Sequence, residues 1–81
     1  MILEVKRLWL YELRISENLT QGDMAHIMGI SPSHYNNIEH GRRGLRGRLL
    51  SDHFVTLADY FHVPLEQIHK MESVYLSENL S

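Results

Sequence analysis

The groups best suited to chemistry in this chain are amides, hydroxyls and guanidinium ions rather than acids. Ser33, His34, Asn36, Asn37 and His40 are interleaved with Tyr35 and Ile38, and Arg42, Arg43, Arg46 and Arg48 follow in a short stretch without Asp or Glu. An asparagine side chain donates and accepts at once, which matches the N6 and N7 edge of adenine, and a serine hydroxyl can bond a base or a phosphate. Arginine forks fit phosphate oxygens. The chain has 6 histidines, yet His26, His34, His40, His53, His62 and His69 form no HxxxH pair and have no acidic ligand at zinc-site spacing. No nucleophile is accompanied by a base and an orienting group either: Ser31 and Ser51 read as helix caps, and no glycine-rich phosphate loop follows a strand. The chemistry expected is contact with an anionic polymer that presents bases, with no cofactor, no metal and no catalysed reaction.

Local signals say which elements position these groups. Ser31 followed by Pro32 supplies the cap and first residue of a short helix, and Gly41 can adopt the left-handed conformation that ends it near His40. With Tyr35 and Ile38 turned inward, the 3.6-residue period carries Ser33, Asn36, Asn37 and His40 to the outer face, with Pro32 and His34 at its flanks. A preceding helix runs from Gln21 to Met28, with Thr20 as cap, Asp23 as its capping-box partner, Leu19 stapling onto Met24, and Gly29 as terminator. The turn between the two helices is then only about three residues, the geometry that sets a second helix in the major groove of DNA.

The flanking elements are also legible. Leu3, Leu10 and Leu13, with Lys6, Arg7, Glu12 and Arg14 between them, have the helical period, so residues 3–16 read as a first helix ending at Asn18. Gly41, Gly44 and Gly47 among the arginines favour a flexible connection over 41–49. Leu50, Phe54, Leu57, Ala58 and Phe61 mark one face of a fourth helix capped near Ser51, and Pro64 opens a fifth with Leu65 and Ile68 inward. Beyond Met71 the pattern of Val74, Tyr75, Leu76 and Leu80 is weak, so residues 72–81 read as a tail, partly ordered or in contact with a second copy.

The bulk numbers bound this reading. With 81 residues the chain is expected to form one domain around a single core. No cysteine is present, so neither disulfides nor thiolate zinc sites can supplement that core, and a reducing cytoplasm suits it. Met1 to Ile15 lacks an uninterrupted apolar run, and no segment approaches the ~18 apolar residues of a membrane span. The net charge of -2 weighs against nucleic-acid binding, but the arginine cluster leaves a local positive patch on an acidic chain.

Through Leu19-Thr20-Gln21, Met24-Ala25, Met28-Gly29-Ile30-Ser31 and Ile38-Glu39-His40-Gly41-Arg42 the sequence resembles the Cro/repressor-type (XRE-like) helix-turn-helix family. The likeness reaches back to Leu10, Leu13 and Arg14 and forward to Leu57, Ala58, Phe61, Val63 and Leu65. It implies an all-α, compact five-helix bundle of the lambda-repressor-like DNA-binding type, with the domain spanning 1–71 and the helix-turn-helix 20–41. It further implies that Arg14 and Glu39 form an ion pair from the first helix to the end of the third, that Gln21 meets a phosphate, and that bases are read from positions matching Pro32, Ser33 and Asn37. Proline has no polar side chain, so Pro32 departs from the pattern and one readout position is reduced to apolar contact. Gly22 stands where an acid or alanine is commoner, and the arginine loop is longer than the usual connection.

The DNA-contacting set expected from residues and resemblance together is Gln21, Ser31, Ser33, His34, Asn36, Asn37, His40, Arg42, Arg43 and Arg46, with Arg48 close by. Protonation of His34 or His40 in weakly acidic solution would add charge facing phosphate. The function expected is a transcriptional regulator, a repressor acting by operator occupancy, binding double-stranded DNA as a homodimer in the cytoplasm, with no membrane and no small-molecule ligand. The rival is a protein-interaction module of the same fold, an antitoxin or antirepressor-type adaptor, suggested by surplus apolar surface at Trp9, Tyr11, Ile27, Tyr75 and Leu76.

Overall fold

The computed structural model describes residues 5–42 and 44–79, and every regular element among them is helical. The elements are α1 (Leu8–Ser16), α2 (Gln21–Met28), α3 (Pro32–Glu39), a 3-10 turn at Gly44–Gly47, α4 (Ser51–Phe61) and α5 (Leu65–Asn79). They fall into two units that divide between Leu49 and Leu50. Leu3, Arg43 and Leu80, which figure in the sequence reading, lie outside the described residues.

In the first unit the local signals act as expected. Thr20 and Asp23 form a reciprocal capping box: the Asp23 N–H donates to the Thr20 hydroxyl at 3.0 Å and the Thr20 N–H to the Asp23 carboxylate at 2.9 Å. Those bonds, the one from the Thr20 backbone first, hold the Asp23 carboxyl below the usual carboxylate range. Gly29, at φ 71°, ends α2, and two residues later Ser31 accepts the His34 N–H at 3.0 Å to open α3. The end of α3 is a Schellman turn in which Gly41, at φ 67°, gives its N–H to Ile38 while the Arg42 N–H reaches the Asn37 carbonyl at 3.0 Å. α3 packs on α2, on α1 and on the 3-10 turn. Among the described residues of this unit, Leu10, Met24, Ala25, Met28, Tyr35, Ile38 and Leu49 are apolar and buried. Complete burial of one such side chain contributes about 1.5–3 kcal/mol, a sizeable share of a net stability of ~5–15 kcal/mol.

The first helix is shorter than its pattern predicts. It begins at Leu8, because the Arg7 N–H is held by the Glu39 carbonyl at 2.8 Å and residues 5–7 are therefore not helical. The connection after α3, expected to be flexible throughout, instead contains the 3-10 turn and the buried residues Gly47 and Leu49.

In the second unit, Leu50 is the residue before α4 rather than part of its inner face and is 54% exposed. His53 accepts the Leu50 N–H at 3.1 Å through Nδ1 and so caps the helix from its own first turn. Leu57 of α4 and Ile68 of α5 are fully buried, and the Phe54 and His69 rings lie 4.6 Å apart. His62 takes the left-handed conformation at φ 55° and stops α4. From Leu65 the last helix continues to Asn79, through the region where the apolar pattern is weak, and Glu72 on it is buried. No helix among the described residues is long and apolar enough to cross a membrane.

Candidate nucleic-acid interface

The carboxylate of Glu39 organises the site from within. It is completely buried at the end of α3 and accepts from four donors: Arg14 Nε at 2.7 Å and Nη2 at 3.2 Å, the Tyr35 hydroxyl at 2.8 Å and Gln21 Nε2 at 2.9 Å. Burial alone would favour the protonated acid, but the bonds from Arg14, Gln21 and Tyr35 outweigh it and hold the Glu39 carboxyl below the ordinary carboxylate range. Its charge in turn raises the Arg14 guanidinium, while burial, reinforced by Glu39, pushes the Tyr35 phenol up. The remaining Arg14 contact, Nη1 to the Leu19 carbonyl at 2.9 Å, ties the pair to the segment that opens α2. The Glu39 carboxylate thus joins α1 through Arg14 and the start of α2 through Gln21 to the end of α3.

Gln21 and Asn36 belong to the same network. A carboxylate only accepts, so the Gln21 amide must turn Nε2 toward Glu39, which leaves Oε1 to accept from Asn36 Nδ2 at 3.1 Å. Asn36 keeps one amide hydrogen and its carbonyl for other partners. His40 is oriented by the same logic: its Nδ1 lies 3.0 Å from the backbone carbonyl of Asn36, which cannot donate, so Nδ1 carries the proton in that bond. Gly22 meets no constraint of this kind, since an added Cβ would find only the Thr20 hydroxyl at 3.6 Å, an ordinary contact.

On the surface, Ser33 is exposed, and His34, Asn36, Asn37 and His40 are half-buried on the same short helix. Ser31 is exposed too, with its hydroxyl engaged as the cap of α3. Pro32 is exposed at the first position of the helix. Beyond α3, Arg42 is half-buried and held by its backbone to Asn37, whereas Arg46 and Arg48 are exposed; Arg43 lies outside the described residues. Every described member of the expected set lies in the first unit. Of the surplus apolar surface, Tyr11 is covered in part by cations, with Lys6 Nζ 3.7 Å and the Arg14 guanidinium 5.3 Å from its ring centre.

Arg7 is a structural neighbour of these residues that the sequence pattern does not single out. Its guanidinium is buried, 3% exposed, and donates to the carbonyls of Ile38 and, at 3.1 Å, Gly47. It therefore closes the C-terminal end of α3 and binds the following turn to it, where a positive group also meets the negative end of the helix dipole. In the sequence it is one charge among several alternating with apolar residues, and no spacing marks it.

Two helices in this arrangement, the second presenting hydroxyl and amide groups with its one carboxylate withdrawn inside, define a helix-turn-helix DNA-binding domain. The family described as "Helix-turn-helix domain" matches residues 9–73, and the chain belongs to that family, as a Cro- or XRE-like member. No curated protein and no solved structure gave a significant match. The family is one of DNA-binding regulators rather than enzymes, so the chain is a DNA-binding regulator in general terms.

Proposed function

We propose that the chain is a sequence-specific regulator that occupies operator DNA as a homodimer and represses transcription by obstructing the promoter. The observation that carries this reading is the fate of Glu39: the carboxylate of α3 is fully buried and fully bonded, so the surface of the helix offers Ser33, Asn37 and the free groups of Asn36 to base edges without a repelling charge. Asn37 is the residue assigned to adenine, since its amide can serve N6 and N7 together. Gln21, Ser31, Ser33, His34, His40, Arg42, Arg43 and Arg46 supply the surrounding phosphate and base contacts. The exposed Val74 and Leu76 of α5 give a second copy apolar surface to cover, which suits a pseudo-palindromic operator with half-sites about one DNA turn apart.

The test is selection from a random duplex library, then anisotropy titration of the selected and a scrambled duplex across about 50–200 mM salt. The expected outcome is a preference on the order of 10³-fold, lost in Asn37→Ala, and a salt slope lowered by about 1 in Arg43→Ala. Absence of both preference and salt dependence would refute the regulator and favour an adaptor that uses the same fold on a partner protein.

A further inference from the structure

We propose that the Gly44–Gly47 turn is a second DNA-contacting element, which inserts Leu45 from the minor groove against a base step beside the site faced by α3. The proposal rests on α3 being the DNA-reading helix and adds an apolar, shape-dependent contact to it.

Leu45 is 79% exposed, more than any other large hydrophobic residue described. A single exposed leucine on a loop is ordinary; the difference here is that the segment carrying it is fastened. The Arg7 guanidinium holds the Gly47 carbonyl at 3.1 Å. Gly47 itself lies so close to the preceding strand of chain that a Cβ there would sit 1.9 Å from the Arg42 carbonyl oxygen. Leu49 is buried directly afterwards. The Schellman bond from Arg42 to Asn37 fixes the near end. The protein therefore fixes the segment around a side chain that adds nothing to its core.

The surroundings of Leu45 specify the partner. Arg46 and Arg48 are exposed, and no Asp or Glu occurs between Gly41 and Ser51. The surface is cationic with an apolar tip, which suits a polyanion that also offers stacked apolar faces. Placing α3 in the major groove sets its C-terminal end at the phosphate wall, and the next feature across that wall is the minor groove, about 6 Å wide. Leucine is among the side chains that enter there and unstack a step, most easily at a flexible pyrimidine–purine step. Arg46 and Arg48 would then sit on the two phosphate walls.

The experiment uses the full chain and the selected duplex with 2-aminopurine placed in turn at the steps flanking the α3 site. Binding of the wild-type protein should raise emission at one flanking step. Leu45→Ala should abolish that rise and weaken affinity about tenfold, with an unchanged thermal melt, while Leu45→Phe should restore the rise. Unchanged emission on wild-type binding overturns the proposal whatever the affinities, and so does a Leu45→Ala protein that matches the wild type. If Leu45→Ala alters only sedimentation, or only flotation with anionic vesicles, the occupant is a second copy or a membrane and the proposal is likewise overturned. If the wild-type protein binds no duplex at all, the DNA-reading assignment of α3 has failed first, a result distinct from specific binding without unstacking.

Discussion

Gln21, the first residue of α2, and Asn36, in the middle of α3, are joined side chain to side chain by a hydrogen bond of 3.1 Å. Because Gln21 is also bonded to the buried Glu39 carboxylate, the rotamer of Asn36 is set from inside the protein before any ligand arrives. Two residues assigned to DNA contact are therefore one mechanical unit.

A double-mutant cycle on this unit should be non-additive. Gln21→Ala and Asn36→Ala, singly and together, are expected to show a coupling of about 0.5–3 kcal/mol in affinity for the selected duplex. Anisotropy titration at fixed salt measures it, and strictly additive effects would mean that the bond does not survive in the complex.

Glu39→Gln leaves the Arg14 guanidinium without its buried counter-charge and is expected to cost about 3–5 kcal/mol of stability, read from urea unfolding. Replacing both partners by methionine, Arg14→Met with Glu39→Met, should recover much of that loss, because no buried charge is then left alone.

Acid should expose the same carboxylate. Glu39 ionises more readily in the folded protein than in the unfolded chain, where a glutamate titrates at about 4.3. Its contribution is thus fully present above that value and lost as pH falls through the lower folded one. Urea midpoints taken from pH 5 downwards should fall more steeply for the wild type than for Glu39→Gln, with a remaining slope from Asp23, whose carboxyl is also held low.

Two glycine replacements should differ in size for different reasons. Gly29→Ala meets no atom within 4 Å and carries only the strain of a left-handed alanine, about 1–2 kcal/mol. Gly47→Ala would drive its Cβ into the Arg42 backbone, which can yield only by displacing the turn, and should lower the thermal midpoint further. Equal midpoints for the two variants would show that the turn gives way freely.

What the sequence disclosed was mostly local. Thr20 with Asp23, Ser31 with Pro32, Gly29 and Gly41 delimit α2 and α3 because caps and terminators act within a few residues of themselves. Tyr35 and Ile38 face inward as their spacing requires. The start of α1 is not legible in the sequence because the backbone and side chain of Arg7 are taken by carbonyls about thirty or more positions away, and no periodicity records a bond of that span. The arginine loop read as flexible for the same reason: its glycines signal freedom, while the contact of Gly47 with Arg42 that removes it is a matter of packing. Likewise, Asn36 and Gln21 were legible as polar candidates, but their bond to each other depends on how α2 crosses α3.

The position of Arg7 also bears on how this protein can be shortened. A fragment trimmed to begin at α1 would keep all five described helices and every residue that faces outward from α3. It would nevertheless lack the guanidinium that occupies the Ile38 and Gly47 carbonyls and the amide that occupies that of Glu39. The Glu39 carbonyl at the end of α3 and the Gly47 carbonyl in the turn would be left to water, the Ile38 carbonyl would keep only its backbone partners, and the turn bearing Leu45 would lose its anchor. The minimal functional unit therefore starts before its first helix, in residues that a search for regular structure would discard.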